Sequence, residues 1–207
     1  MLLKGVRITV VLTVLGGVLT LFVAFLVGLL RISENPVIRG ITKVYVEIFR
    51  GTSLLVQLYW FYFVVPFFGL RLTAMQAGVL VLGLSYGAYA QEAVRSAILA
   101  VPEGQREAGI ALNMKSSQIM RHVILPQAIV RMVPPLGNRL IQLLKGTALV
   151  SMITLSELMY QGVKARMLTL QNAKVFGLVL IIYYLLAYPI RMGINWTEKK
   201  VGNWRDA

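Results

Sequence analysis

The 207-residue chain contains no cysteine, one histidine, and 8 acidic residues against 21 Lys plus Arg, and only 14% of its residues are charged. Without cysteine there are no disulfides, thiolate metal sites or cysteine nucleophiles, although this says nothing about compartment. With His122 alone, a multi-histidine metal site is excluded. Soluble domains carry about 25% charged residues, so the low charge excludes an ordinary soluble domain. What the chain has in abundance is apolar surface: 57% of residues are hydrophobic and the mean hydropathy is +0.73. Such a composition implies a helical bundle whose solvent is lipid. The formal net charge of +13 is spread between apolar runs rather than gathered in a patch, which argues against nucleic acid and for membrane-flanking loops.

Each crossing takes about 20 residues, and five segments qualify within a single transmembrane domain covering 1–207: about 8–30, 52–68, 74–100, 127–153 and 175–192. The first run is longer than a signal-peptide core, and Arg31-Ile32-Ser33-Glu34 follows it rather than a small-residue cleavage site, so it reads as a retained span. Asn35-Pro36 marks a turn before an amphipathic pattern over 37–50, expected to lie at the membrane surface. Tyr59, Trp60, Phe61, Tyr62 and Phe63 place the second span near an interface. The fourth segment carries Arg131, Arg139, Lys145 and Pro134-Pro135, which predicts a broken span facing the interior of an assembly. Trp196 and Trp204, beside Lys199 and Lys200, read as an interfacial anchor. With the N-terminus outside, inner segments hold eleven Lys plus Arg and outer segments six. This balance favours N-out and C-in, with 101–126 cytoplasmic.

That insertion is too charged to cross. Glu103 and Glu107 suit the positive start of a helix. Asn113 suits a left-handed reversal. Ser116 or Ser117 can cap a second short helix that ends at Leu125-Pro126, where proline favours an exit into the next span. A helix-turn-helix hairpin with an exposed apolar ridge is therefore expected.

The string EAGIALNMKSSQIMRHVILP, from Glu107 to Pro126, resembles the EAA loop of ABC importer permeases, whose pattern is E-A-A, three residues, G, nine residues, I, one residue, L-P. Glu107, Ala108, Leu125 and Pro126 match at the required spacing; Gly109 replaces Ala, Asn113 replaces Gly and Val123 replaces Ile. VPEGQREAG, FRGTSLLVQL from Phe49 to Leu58, and KGTALVSMITLSEL from Lys145 to Leu158 are similar to permeases of the polar amino acid uptake subfamily. There the last stretch commonly begins Lys-Asp-Thr, so Gly146 departs and weighs against cationic solutes. The resemblance spans about Lys4 to Arg191.

This resemblance implies an all-α integral inner-membrane protein with the five-span core of type I ABC importer permeases. It also implies two permease subunits, identical or different, two cytoplasmic ATPases, an extracytoplasmic solute-binding protein, and alternating access. Within the hairpin it implies an ATPase-coupling role for Gly104, Gln105, Glu107, Ala108, Gly109, Asn113, Leu125 and Pro126, with Glu107 pairing in the ATPase cleft and Ala108 and Gly109 permitting close approach. The chain has no G-x-x-x-x-G-K-[ST] phosphate loop, so ATP and Mg belong to the ATPases; no cofactor is expected on this chain.

Thr147, Ser151, Thr154, Glu157 and Gln161 recur at helical steps and form an expected polar stripe; Ser85, Tyr89, Glu92 and Ser96 form another, and Gln57 stands alone. Of these, Gln57, Ser85, Tyr89, Thr147, Ser151, Thr154 and Glu157 are candidate substrate-pathway residues. Hydroxyls bonding their own helix and an inter-span hydrogen-bond network are the competing readings. Glu92, about 27 Å along a helix starting at Ala74, is expected to pair with Arg95. Arg139 and Lys145 are rare intramembrane cations that suit anion attraction or a subunit interface. Gly83-x-x-x-Gly87 offers a close-packing surface. An ion-coupled secondary transporter is the alternative function. A membrane enzyme lacks the convergent acids and bases it needs, since only Glu92 and Glu157 lie near spans.

Overall fold

A computed structural model describes residues 2–202, with side chains through Glu198; Trp204 and Arg205, and the side chains of Lys199 and Lys200, lie outside the described residues. All regular structure among them is helical. The centre is the pair α1 (Leu2–Leu30) and α4 (Ala74–Leu99). Their small residues set the contact. A Cβ on Gly87 would come within 2.6 Å of Val23, one on Gly28 within 2.8 Å of Val94, and one on Gly83 would overlap Leu19. Thr20 donates to the Gly83 carbonyl at 3.5 Å. The expected close-packing surface is therefore the α1–α4 seam. Thr73 starts α4 with a capping box: its hydroxyl accepts from the Gln76 N–H, and the Gln76 side chain accepts from the Thr73 N–H.

Three apolar clusters fill the bundle, the smallest where the helix Pro36–Gly51 meets α1. Leu12, Leu58, Val81, Leu82, Leu143 and Ile153 occupy one end; Ala24, Ala90, Val94, Ala128, Met132 and Leu136 occupy the hairpin end. In lipid, apolar burial between helices brings no water-exclusion gain, so close van der Waals packing and interhelical hydrogen bonds hold these clusters together.

Several sequence expectations change. The helical run Leu54–Phe68 is α-helical over α3 (Leu54–Tyr59), π-helical over Trp60–Val64 and 3-10 over Val65–Phe68. It is bent by 104° from α2 (Pro36–Gly51), and only the two together meet the length and hydropathy of a span. Nor does α2 lie apart from the bundle: Val46 is buried with Val23 and Val27, and the Tyr45 hydroxyl donates to the Leu84 carbonyl at 2.6 Å. A half-apolar helix that finds buried partners docks instead of floating.

The fourth segment is not broken at Pro134-Pro135. Helix α7 (Leu125–Gly146) passes both prolines, continues as a 3-10 helix over Thr147–Ile153, and stops where Thr154 turns left-handed at φ 66°. Met132 and Leu136, buried against α4 on either side of the prolines, hold the segment helical. The segment 154–174 forms α8 (Leu158–Thr169), and the last span is α9 (Asn172–Gly202), which runs past Arg191. By length and hydropathy, α1 and Asn172–Glu198 qualify as spans alone, and two bent pairs qualify jointly.

Candidate functional site

The hairpin begins with α5 (Glu103–Ala111) and turns at Asn113, φ 57°. Asn113 donates its N–H to the Ile110 carbonyl at 2.8 Å, and Met114 donates to Gly109 at 3.0 Å. These two bonds form a Schellman closure, which places the left-handed residue just past the helix end. Asn tolerates that backbone better than residues other than glycine, so Asn113 preserves the reversal that the EAA pattern assigns to Gly.

The return arm differs from expectation. Neither Ser116 nor Ser117 caps it: Lys115 precedes α6 (Ser116–Ile119), and the Gln118 side chain accepts from the Lys115 N–H at 2.8 Å. Nor does Pro126 end it. A π-turn over Met120–Ile124 leads directly into α7, with the Leu125 N–H bonded to the Met120 carbonyl. Shifting the pairing by one residue accommodates a proline that has no N–H to give its own turn. The arm thus runs helically from Ser116 to Ile153, out of the hairpin and into the bundle.

Gly109 does not face outward. It is buried, and a Cβ there would lie 2.8 Å from Ile119. Its small size closes the hairpin on itself, which corrects the expectation that Gly109 admits a partner's backbone. Gly104, Gln105, Glu107 and Ala108 are exposed, and Ile110 and Leu112 present 60% and 76% of their surface. Glu107 has no ion-pair partner among the described residues. Two contacts tie the hairpin base to the spans: Gln127 donates to the Gln105 side chain at 3.1 Å, and Arg131 donates to the Ala100 carbonyl at the end of α4. Leu125 is half-buried against the hairpin-end cluster, and Pro126 is exposed. His122 is also exposed, its Nδ1 3.1 Å from the Gln118 carbonyl oxygen.

The candidate pathway residues do not share one face. Thr147 is fully buried and donates to the Leu144 carbonyl at 2.7 Å; Ser151 donates to Ala148 at 2.7 Å. Thr154 terminates its helix. The expected continuous stripe fails because the chain changes from a 3-10 helix to a new α-helix between Thr154 and Leu158. Ser85 is buried. Gln57 is buried at the bend, where its amide donates to the Phe49 carbonyl at 3.0 Å and to the Thr52 hydroxyl at 2.8 Å, bracing the corner between α2 and α3.

Glu157 joins neighbouring helices. Fully buried at the start of α8, it accepts from the Met159 and Tyr160 N–H groups, both at 2.8 Å, from the Tyr183 hydroxyl at 2.9 Å and from Thr9 at 3.4 Å. Glu92 pairs with Arg95 at 2.9 Å as expected, and also with Arg31 at 3.2 Å, a partner that no local pattern announces.

Tyr89 gathers two cations. The guanidinium carbons of Arg50 and Arg139 lie 5.3 and 5.5 Å from its ring centre, while its hydroxyl donates to the Arg50 carbonyl at 3.3 Å. Sequence reasoning singled out Tyr89 and Arg139 separately and missed Arg50, since three elements contribute the group.

Comparison with known proteins bears on this arrangement. Residues 8–195 match the family described as binding-protein-dependent transport system inner membrane component. A relative in Sinorhizobium fredii, named "Probable amino-acid ABC transporter permease protein y4tF", is 40% identical, the match covering 98% of this chain and 87% of that protein. The Bacillus subtilis protein named "Probable glutamine ABC transporter permease protein GlnM" is 35% identical over 91% of this chain and 89% of its own length. A solved structure titled "Crystal structure of an amino acid ABC transporter with histidines" superposes with TM-score 0.88 at 32% identity, covering 96% of this chain and 93% of that one.

Proposed function

The chain belongs to the family of binding-protein-dependent transport system inner membrane components, an ABC transporter permease family with the type I importer fold; from that premise we propose that it is the permease subunit of an importer for polar amino acids or related zwitterions. Two permease subunits, two ATPases and an extracytoplasmic solute-binding protein make the working assembly in the inner membrane. The ATPases bind ATP and Mg, and this chain binds no cofactor. Five spans, with α2 and Leu54–Phe68 sharing the second, put the N-terminus outside and the C-terminus in the cytoplasm; with α2 inside the span the inner segments hold eight Lys plus Arg against six outside, which still favours this orientation.

The observation that carries this reading is the unbroken return arm. ATPase closure can shift the permease only if it interacts differently with its two states, so a rigid part must reach from the docking surface to the spans. The helical run Ser116–Ile153 supplies that part. Glu107, Ala108, Ile110 and Leu112, on α5 and its end, present the docking side of the hairpin, the Gly109–Ile119 contact joins that arm to the run, and Gln105–Gln127 and Arg131–Ala100 brace the base. Among the pathway candidates, Tyr89 is the one whose surroundings favour solute contact; Gln57, Ser85, Thr147, Ser151, Thr154 and Glu157 hold the walls that surround the path.

The test is Glu107→Lys combined with Ala108→Asp, two exposed positions whose change leaves the Gly109–Ile119 contact intact. ATPase co-purification and ATP-driven uptake are both expected to fall at least tenfold while membrane insertion persists. Normal uptake by this double variant would remove the coupling role.

A further inference from the structure

Arg50 ends α2, Tyr89 stands within α4 and Arg139 within α7, and the three meet beside the corner that Gln57 braces. Both guanidiniums converge on the one ring, at 5.3 and 5.5 Å. Arg139 also donates to the Gln142 side chain at 2.7 Å. Among the described residues neither arginine has a carboxylate within ion-pair distance, and the neighbouring acids are already engaged. Glu47, one turn before Arg50, pairs with Lys43 at 3.7 Å, Glu92 lies between Arg31 and Arg95, and Glu157 is enclosed by its four donors. Lys145, further along α7, is exposed and likewise without a carboxylate partner among the described residues.

A ring face returns about 0.5–2 kcal/mol to a cation, whereas a cation near the bilayer centre costs about 2.5–3.5 kcal/mol on insertion scales. Two cations on one ring therefore leave a positive site that an anion would relieve. Position 146 carries no acid, and the Tyr86 hydroxyl lies where a Cβ on Gly146 would begin. The site can thus answer carboxylates, and it offers nothing to an ammonium or guanidinium group.

We propose that Arg50, Tyr89 and Arg139 form a carboxylate-reading subsite, and that the preferred solutes are amino acids of net negative charge, dicarboxylates above all. Two guanidiniums match two carboxylates, whereas a basic side chain would meet repulsion from both arginines. This rests on the importer reading and deepens it.

The experiment uses the purified permease–ATPase complex in nanodiscs of phosphatidylcholine, with equilibrium binding of radiolabelled L-glutamate, L-glutamine and L-arginine. Glutamate is expected to bind most tightly and arginine least. Arg50→Gln and Arg139→Gln should each weaken glutamate about tenfold or more, as loss of a charge-assisted contact does. Arg139→Lys should recover part of the loss, and Arg71→Gln, in the exposed turn before α4, should change nothing. Tighter arginine than glutamate binding overturns the proposal, as does an unchanged glutamate affinity in Arg139→Gln. So does a result in which the arginine variants only release bound anionic phospholipid or split the permease pair. ATP-driven uptake in proteoliposomes with the binding protein separates the two readings. If the wild type takes up no amino acid, the importer assignment fails; if it does while Arg50→Gln and Arg139→Gln match it in glutamate KM, only the subsite fails.

Discussion

At the scale of single residues, several buried polar groups here are bound to partners that hydropathy does not reveal. Glu157 illustrates this most fully, since one carboxylate satisfies two N–H groups of α8 and hydroxyls from α1 and α9. Glu157→Ala would strand those donors in a dry setting, at a cost of at least about 2 kcal/mol. The expected outcome is a clear drop in the detergent melting temperature, with Glu157→Gln intermediate because one acceptor oxygen remains. Packing at glycine is as exacting. Gly83→Val would drive a side chain into Leu19 across the α1–α4 seam, so we expect a loss of about 1–3 kcal/mol, measured by the same thermal assay. The i,i+3 partner of Glu92 was legible from spacing alone, but its partner Arg31 was not, because that contact spans two helices far apart in the chain.

Among elements, local chemistry decides what the sequence makes visible. The hairpin reversal could be read because an asparagine at a helix end is a short-range signal, satisfied by its own neighbours. Asn113→Gly should therefore preserve ATPase binding, and Asn113→Val should weaken it. A branched residue in left-handed backbone costs about 1–2 kcal/mol, and co-purification of the ATPase measures the difference. The continuity through Pro126 and Pro134-Pro135 was not legible. Prolines in a sequence announce breaks, yet a π-turn and buried Met132 and Leu136 keep this helix running. The bend between α2 and α3 was equally hidden, because it depends on Gln57 reaching back to Phe49 and Thr52. Helix α8 escaped notice for a similar reason: its start is fixed by Glu157, which sequence spacing had assigned to a polar stripe.

For the whole molecule, composition was enough to choose lipid as the solvent, and apolar runs located α1, α4 and α9, closely at both ends for α4 only, since charged residues hide the start of α1 and the end of α9. The Arg50–Tyr89–Arg139 group was not accessible in this way, as it exists only once three elements are assembled. Sidedness can be measured directly because the chain has no cysteine of its own. Glu103→Cys and Lys164→Cys create single exposed thiols in the hairpin and in α8. With intact cells, an impermeant maleimide should label Lys164→Cys at once and Glu103→Cys only after the membrane is opened; the reverse order would invert the proposed orientation.

The seam of α1 and α4 sets where movement can occur. Two helices meshed through Gly28, Gly83 and Gly87 cannot slide past each other without collision, so in the proposed importer they would move as one body. By contrast, only 6% of the apolar window of Asn172–Glu198 is covered by the rest of the chain. Most of that helix's apolar surface is therefore left for lipid or a second subunit, while close contacts at Gly137 against Ile194 and Gly162 against Val179 fix it to α7 and α8, so a stroke delivered along Ser116–Ile153 would carry α9 with it.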